Sequence, residues 1–322
     1  MDTIYKFGAG ILLILSTTFA SCNYDEDSLT ASGTESGYSV PQGNQDYDTE
    51  IVDFYEKYGS CLLYKFTDKD AYWTPSAWNN GVVGAYTDGG QAGFIVAAAD
   101  TQYIGKQLEL LHALLFDFYT DSFLKKFLPV KVLLCSSILS CEAVYSPVYG
   151  FVGVNTPAYY NYDNICLSYG SSAVDTITTA EDSSTVAMGF NRCLMESMVG
   201  RGLSSPTTDF TASATYTSLT TLTTNALCWA RGVFPPYYSV TPARDWYFFM
   251  LMMVSYPESY LTRTPTTTIT TTNYTETAWE GILNSAKDVN GLMLKRYTIV
   301  RNYFIDNYGM DLQSIGNYNK NY

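Results

Sequence analysis

Apolar and polar positions change period repeatedly along this chain, and the changes predict an order of helices and strands. Apolar residues at helical spacing from Thr49 through Tyr58 predict a helix, and Cys61-Leu62-Leu63-Tyr64-Lys65-Phe66 a strand. Gly93-Phe94-Ile95-Val96-Ala97 predicts a second extended piece. A helix from Gly105 places Leu108, Leu111, His112, Leu115, Phe116 and Tyr119 on one stripe facing a core. Pro129 to Leu134 then reads as a strand, as does Asn164 to Ser168. Helix, strand, helix, strand in this order suits a mixed sheet with helices packed on it, an α+β arrangement.

The second half is more helical. A central helix is expected from near Thr185 to Val199, stopped by Gly200 and Gly202. Leu227-Cys228-Trp229-Ala230 predicts a short helix. Pro242-Ala243-Arg244-Asp245 opens a longer one that is apolar almost all round and therefore central. The threonine-rich stretch from Thr262 to Thr277 reads as an exposed loop or hairpin. Ala278 to Tyr308 reads as a long amphipathic helix or helix pair, with a break at Asn290-Gly291.

The first residues change the picture of where the chain works. Phe7 to Leu15 is an apolar run too short to cross about 30 Å of hydrocarbon, and small residues lead from it to Ala20-Ser21-Cys22. This reads as a signal peptide over 1–21 whose Cys22 resembles the acylated first residue of a bacterial lipoprotein. Residues 22–48 follow as a flexible tether, and 49–322 as the folded domain. Asn23-Tyr24-Asp25-Glu26-Asp27 resembles the surface-export signal of Bacteroidetes lipoproteins, with a solvated acidic linker as the alternative. The expected location is the outer membrane, with the chain exposed at the cell surface and held through its lipid anchor. A net charge of -13 and the absence of basic patches exclude a nucleic-acid partner. Beyond Cys22 lie Cys61, Cys135, Cys141, Cys166, Cys193 and Cys228. An even number permits disulfides in an exported chain, but no CxxC pair is present and apolar flanks favour buried free thiols.

Candidate chemistry centres on the central helix, where Glu196 stands between Met195 and Val199. An H-E-x-x-H helix would place histidines at those two positions. Two imidazoles one turn apart hold zinc at about 2.0 to 2.1 Å, and the glutamate between them activates the metal-bound water. Met195 offers only a soft thioether and Val199 no lone pair. The sole histidine, His112, lies far upstream on an apolar stripe and reads as a packed core residue. Asp245 stands downstream, where a third ligand would be expected, yet carboxylates alone do not complete a zinc site. No metal or other cofactor is expected. Arg192 lies one turn before Glu196 and can pair with it along the helix face; a retained general base is the alternative role for Glu196.

In order, Phe54 to Gly59, Leu63 to Asp70 with Tyr72-Trp73-Thr74-Pro75, Phe123 to Pro129, the Glu196 helix, Thr208-Asp209-Phe210 and Lys295 to Ile315 resemble a family of zinc-binding metallopeptidase lipoproteins of Bacteroidetes. The resemblance implies a zincin-like fold: a mixed sheet, an active-site-type helix and a helical C-terminal part. Carried over residue by residue, only Glu196 matches the catalytic motif. The expectation is a catalytically inactive, metal-free relative that binds a peptide, protein or glycan in a vestigial cleft. The first alternative is a glycan-binding accessory lipoprotein of a nutrient-uptake system, using tyrosines between Tyr145 and Tyr169 such as Tyr159 and Tyr160; the same tyrosines could instead pack irregular loops. The second is a hydrolase pairing Glu196 with Asp245.

Overall fold

The computed structural model of the chain describes residues 37–72, 94–140, 145–146, 150–151, 154–266 and 276–322. Residues Ser39–Tyr322 form one compact unit. Cys22, the expected signal peptide, Trp73-Thr74-Pro75, Cys141 and most of the threonine-rich stretch lie outside the described residues.

The chain enters through α1 (Asp48–Tyr58). Packing begins earlier, because the Gln42 side chain accepts from Tyr64 N (2.8 Å) and Lys65 N (2.9 Å) and donates to Lys65 O (2.6 Å). Strand β1 (Cys61–Leu63) leads to the short helix α2 (Asp68–Ala71), then β2 (Phe94–Ala98), α3 (Ile104–Leu114) and α4 (Asp121–Phe127). Strand β3 (Lys131–Ser140) is the longest and joins two kinds of pairing. Its first half runs parallel to β1 and β8, and its second half pairs antiparallel with β2 and β6. That double use carries it six residues past Leu134, where the apolar run ends.

Next come the small hairpin β4 (Tyr145–Ser146) and β5 (Gly150–Phe151), then β6 (Val154–Asn155), β7 (Ala158–Asn161) and β8 (Asn164–Leu167). The principal sheet has the order β1-β3-β8-β7, with β7 antiparallel to β8. The fold is therefore mixed α+β. Leu62, Val132, Leu134, Ile165 and Leu167 point into the apolar core shared with the helices, while Cys61, Leu63, Leu133, Cys135 and Cys166 are buried on the opposite face. Strands buried on both faces read as continuous apolar runs, as these do.

Helix α5 (Ala180–Gly200) begins five residues before the apolar pattern suggests. A capping box explains the extension: Thr179 accepts from Asp182 N (3.1 Å) while the Asp182 carboxylate accepts from Thr179 N (3.0 Å). Short helices α6 (Thr208–Ala212) and α7 (Asn225–Ala230) follow. Helix α8 (Pro242–Ser255), apolar on every side, packs between α5 and the C-terminal helix. Helices α9 (Glu258–Thr262), α10 (Leu292–Tyr308) and α11 (Leu312–Tyr318) complete the chain.

Two expectations are corrected. Residues 280–290 are turns after a 3-10 turn at Glu276–Trp279, and helix begins only at Leu292. Polar side chains capture the backbone there: Lys287 Nζ donates to Ala278 O (2.8 Å) and Glu280 O (2.5 Å), and Asp288 accepts from Met293 N and Leu294 N, capping α10. The α3 stripe also differs, since the helix ends at Leu114 and Gln107 takes an inward place beside Ile104, Leu108 and Leu111.

Gln107 is fully buried, and its Nε2 donates toward Leu167 O (2.9 Å), Ser168 O (2.8 Å) and Cys135 O (3.2 Å), tying β8 to β3. Replacing it by leucine removes all three bonds, with Cys135 O keeping only its bond from Gly170 N (2.8 Å), and is expected to lower stability by about 1–3 kcal/mol in urea unfolding. An unchanged midpoint would show that the clamp is dispensable.

Candidate functional site

On α5, burial decides the chemistry. Met195 and Met198 have no exposed surface and sit in the main apolar core with Phe190 and Leu194, and Val199 is half-buried against the same cluster. Glu196 points the other way, on the exposed stripe it shares with Arg192 and Gly200. The two positions where a zinc helix presents imidazoles therefore belong to the core. Among the described residues, no three His, Cys, Asp or Glu side chains converge where a metal could be held. The residues present do not fit zinc.

His112 corrects the reading as a core residue. Its side chain keeps 39% of its surface exposed, with Nε2 3.2 Å from Glu50 and Nδ1 3.1 Å from Asp117. The buried face of α3 runs through Ile104, Gln107, Leu108, Leu111 and Leu114, and His112 stands at its edge with its ring edge-on to Phe116. It bridges α1 to the turn after α3 and is engaged away from α5.

Asp245 is likewise committed elsewhere. It is fully buried, accepting from Phe234 N (3.1 Å) and the Tyr216 hydroxyl (2.8 Å), with Arg296 at 3.5 Å. Arg296 is also without exposed surface, and its guanidinium lies 3.8 Å over the Phe210 ring and donates to Phe210 O. Burial pushes the Asp245 carboxyl up to about 6, against the pull of Arg296 and its two hydrogen bonds. An exposed Glu196 and a deeply buried Asp245 do not make a catalytic carboxylate pair. Sequence reasoning missed Arg296, whose partner lies 51 positions away.

The tyrosines are used in several ways. Tyr159 stacks on Phe94 with ring centroids 4.0 Å apart, an internal packing contact. The Tyr160 ring lies across Gly200, where a Cβ would come within 2.5 Å of it, and its hydroxyl donates to Tyr162 O (3.1 Å). Pro157 approaches Gly189 just as closely. Two glycines on the outer stripe of α5 thus admit the β7 segment, which explains Gly189 inside the helix despite a cost of about 1 kcal/mol; Gly200 is the helix's last residue. Burial raises the Tyr160 phenol, Arg201 counters, and Glu196 and Asp163 add to the rise, so these charges surround one ring. All five described cysteines are buried and outside any disulfide, as their apolar flanks predict; burial pushes the Cys135 and Cys193 thiols well up.

Where the tip of the β7–β8 hairpin meets the end of α5 there is a pocket of about 390 Å³, lined by Val130, Tyr162, Asp163, Gly200 and Arg201.

No family model and no curated protein matches the chain. Among solved structures it is similar to a Bacteroides caccae protein described as a putative zinc-binding metallo-peptidase, at 11% identity and a TM-score of 0.47, over 87% of this chain and 94% of that one. Likeness of that degree does not define the chemistry of a site.

Proposed function

We propose that this chain is a catalytically inactive, metal-free, zinc-metallopeptidase-like protein that acts by binding a peptide, protein or glycan. In this reading it is exported, acylated at Cys22 and held on the outer membrane at the cell surface. One observation carries the inactive reading: Met195 has no exposed surface and packs in the apolar core, where a metal ligand would have to face a substrate cleft. Val199 cannot coordinate, and Glu196 without a metal beside it has no water to activate by this route. Met195 and Met198 lie in the apolar core, so binding falls to the outer surface around α5.

Elemental analysis of the mature chain after dialysis is expected to find no stoichiometric zinc, and Glu196→Gln is expected to leave casein cleavage at background. One tightly held zinc per chain, or cleavage abolished by Glu196→Gln, refutes the reading.

A further inference from the structure

We infer that the pocket between the β7–β8 hairpin tip and the end of α5 is a binding site for a neutral saccharide, with Tyr162 as its stacking platform. The inference rests on the reading that this chain acts by binding, and it names where and what. Tyr162 is 55% exposed and Val130 52%, large apolar surfaces on opposite segments of one pocket. Tyr162 occupies the left-handed backbone region, at φ 41, in the two-residue turn joining Asn161 to Asn164. Glycine or asparagine fits such a position with less strain, so a tyrosine there presents its ring at a conformational cost.

The polar groups of the pocket are held in place. Asp163 is ion-paired at 3.0 Å with Lys131, whose side chain is only 5% exposed, and also accepts from Asn164 Nδ2 (3.3 Å). Arg201 donates from Nε to Ser197 O and Oγ, from one terminal nitrogen to Leu128 O, and from the other to Phe127 O. A guanidinium has five N–H groups, so each terminal nitrogen keeps one hydrogen beyond these bonds. Tyr160 braces the arrangement by lying on Gly200 and holding Tyr162 O.

An aromatic face, a fixed carboxylate and a fixed guanidinium suit a ligand with an apolar C–H face and hydroxyls that both donate and accept. A sugar ring has that combination. The net charge of -13 on the chain opposes the approach of a polyanionic ligand.

The test is isothermal titration of the mature chain with maltohexaose, cellohexaose, xylohexaose and laminarihexaose, and with polygalacturonate as the anionic control. At least one neutral oligosaccharide is expected to bind. Tyr162→Ala should weaken it about tenfold or more, while Tyr162→Phe retains the ring and the affinity. Gly200→Ala, which removes no ligand group, should also weaken binding by displacing Tyr160 and the turn it holds. Thermal melting of each variant reports folding separately. The inference fails if none of the neutral sugars binds, if only polygalacturonate binds, or if folded Tyr162→Ala binds like the parent. Zinc content and casein cleavage are independent of these titrations, so the inactive reading stands or falls separately.

Discussion

Arg296→Leu is expected to cost about 3–5 kcal/mol of folding stability at pH 8, and clearly less at pH 5. Arg296 and Asp245 are both without exposed surface, so deleting the guanidinium leaves a carboxyl in the core with only the weaker pull of Arg244 as opposite charge. Tyr216 and Phe234 N would still donate to it, which limits the damage without removing it. Packing is lost too, since the guanidinium covers the Phe210 ring at 3.8 Å.

The pH dependence follows from the direction in which burial moves Asp245. Its folded value of about 6 lies above the ordinary 3.8, so the native state binds this proton more tightly than the unfolded chain does. Stability from that proton is fully present below about pH 4 and is lost as pH rises through 6. Without Arg296 the carboxyl moves higher still, and the loss continues into the alkaline range. Below 6 both proteins carry the proton and differ in packing and in the hydrogen bonds from Arg296 to Phe210 O, Ser213 Oγ and the Tyr216 hydroxyl; above it the variant falls further behind. Asp245→Asn, which keeps a neutral oxygen for Tyr216 and Phe234 N, should cost less than Arg296→Leu. Urea unfolding at the two pH values checks this. Equal losses at both, or a loss under about 1 kcal/mol, would mean the pair does not hold α8 to α10.

How much of this was legible in the sequence depends on the range of the interactions that decide it. Helices α1, α5 and α8 were readable because their signals are local: apolar spacing, the Pro242 start, glycines after Val199. Strands β1, β2, β8 and the first half of β3 were readable as apolar runs; β4 to β7 and the second half of β3, Ser136-Ser137-Ile138-Leu139-Ser140, carry no such run and become strand by pairing with neighbours. Residues 280–290 carry apolar positions at helical spacing, and long-stemmed polar side chains override them by bonding the backbone.

The candidate site divides in the same way. The missing histidines at 195 and 199 are visible at a glance, and apolar residue types there already imply burial. The exposure of His112 is not visible, because it depends on which edge of α3 the sheet and neighbouring helices cover, with Gln107 rather than His112 taking an inward place. The Tyr162 pocket is less legible still: Val130, the 162–163 turn and Gly200-Arg201 come from three separate segments. Tyr162 offers no local sign that it, rather than Tyr159 or Tyr160, is the exposed ring.

Restoring the motif should therefore fail. The double substitution Met195→His with Val199→His recreates the spacing of H-E-x-x-H, and is expected to take up no stoichiometric zinc and to lose about 2–4 kcal/mol of stability. Met195 has no exposed surface, so an imidazole there must find a hydrogen-bond partner among Phe190, Leu194 and their apolar neighbours. Metal binding could offset that cost only if a third protein ligand completed the site. The two natural candidates are engaged: Asp245 with Arg296, Tyr216 and Phe234 N, and His112 with Glu50 and Asp117. Elemental analysis and urea midpoints of the double variant, with and without added zinc, decide the matter. A variant as stable as the parent that holds one zinc would show that the cleft survives beneath Met195 and that only its ligands were lost. A destabilised, zinc-free variant would show that the helix face itself has become core, beyond recovery by two side chains.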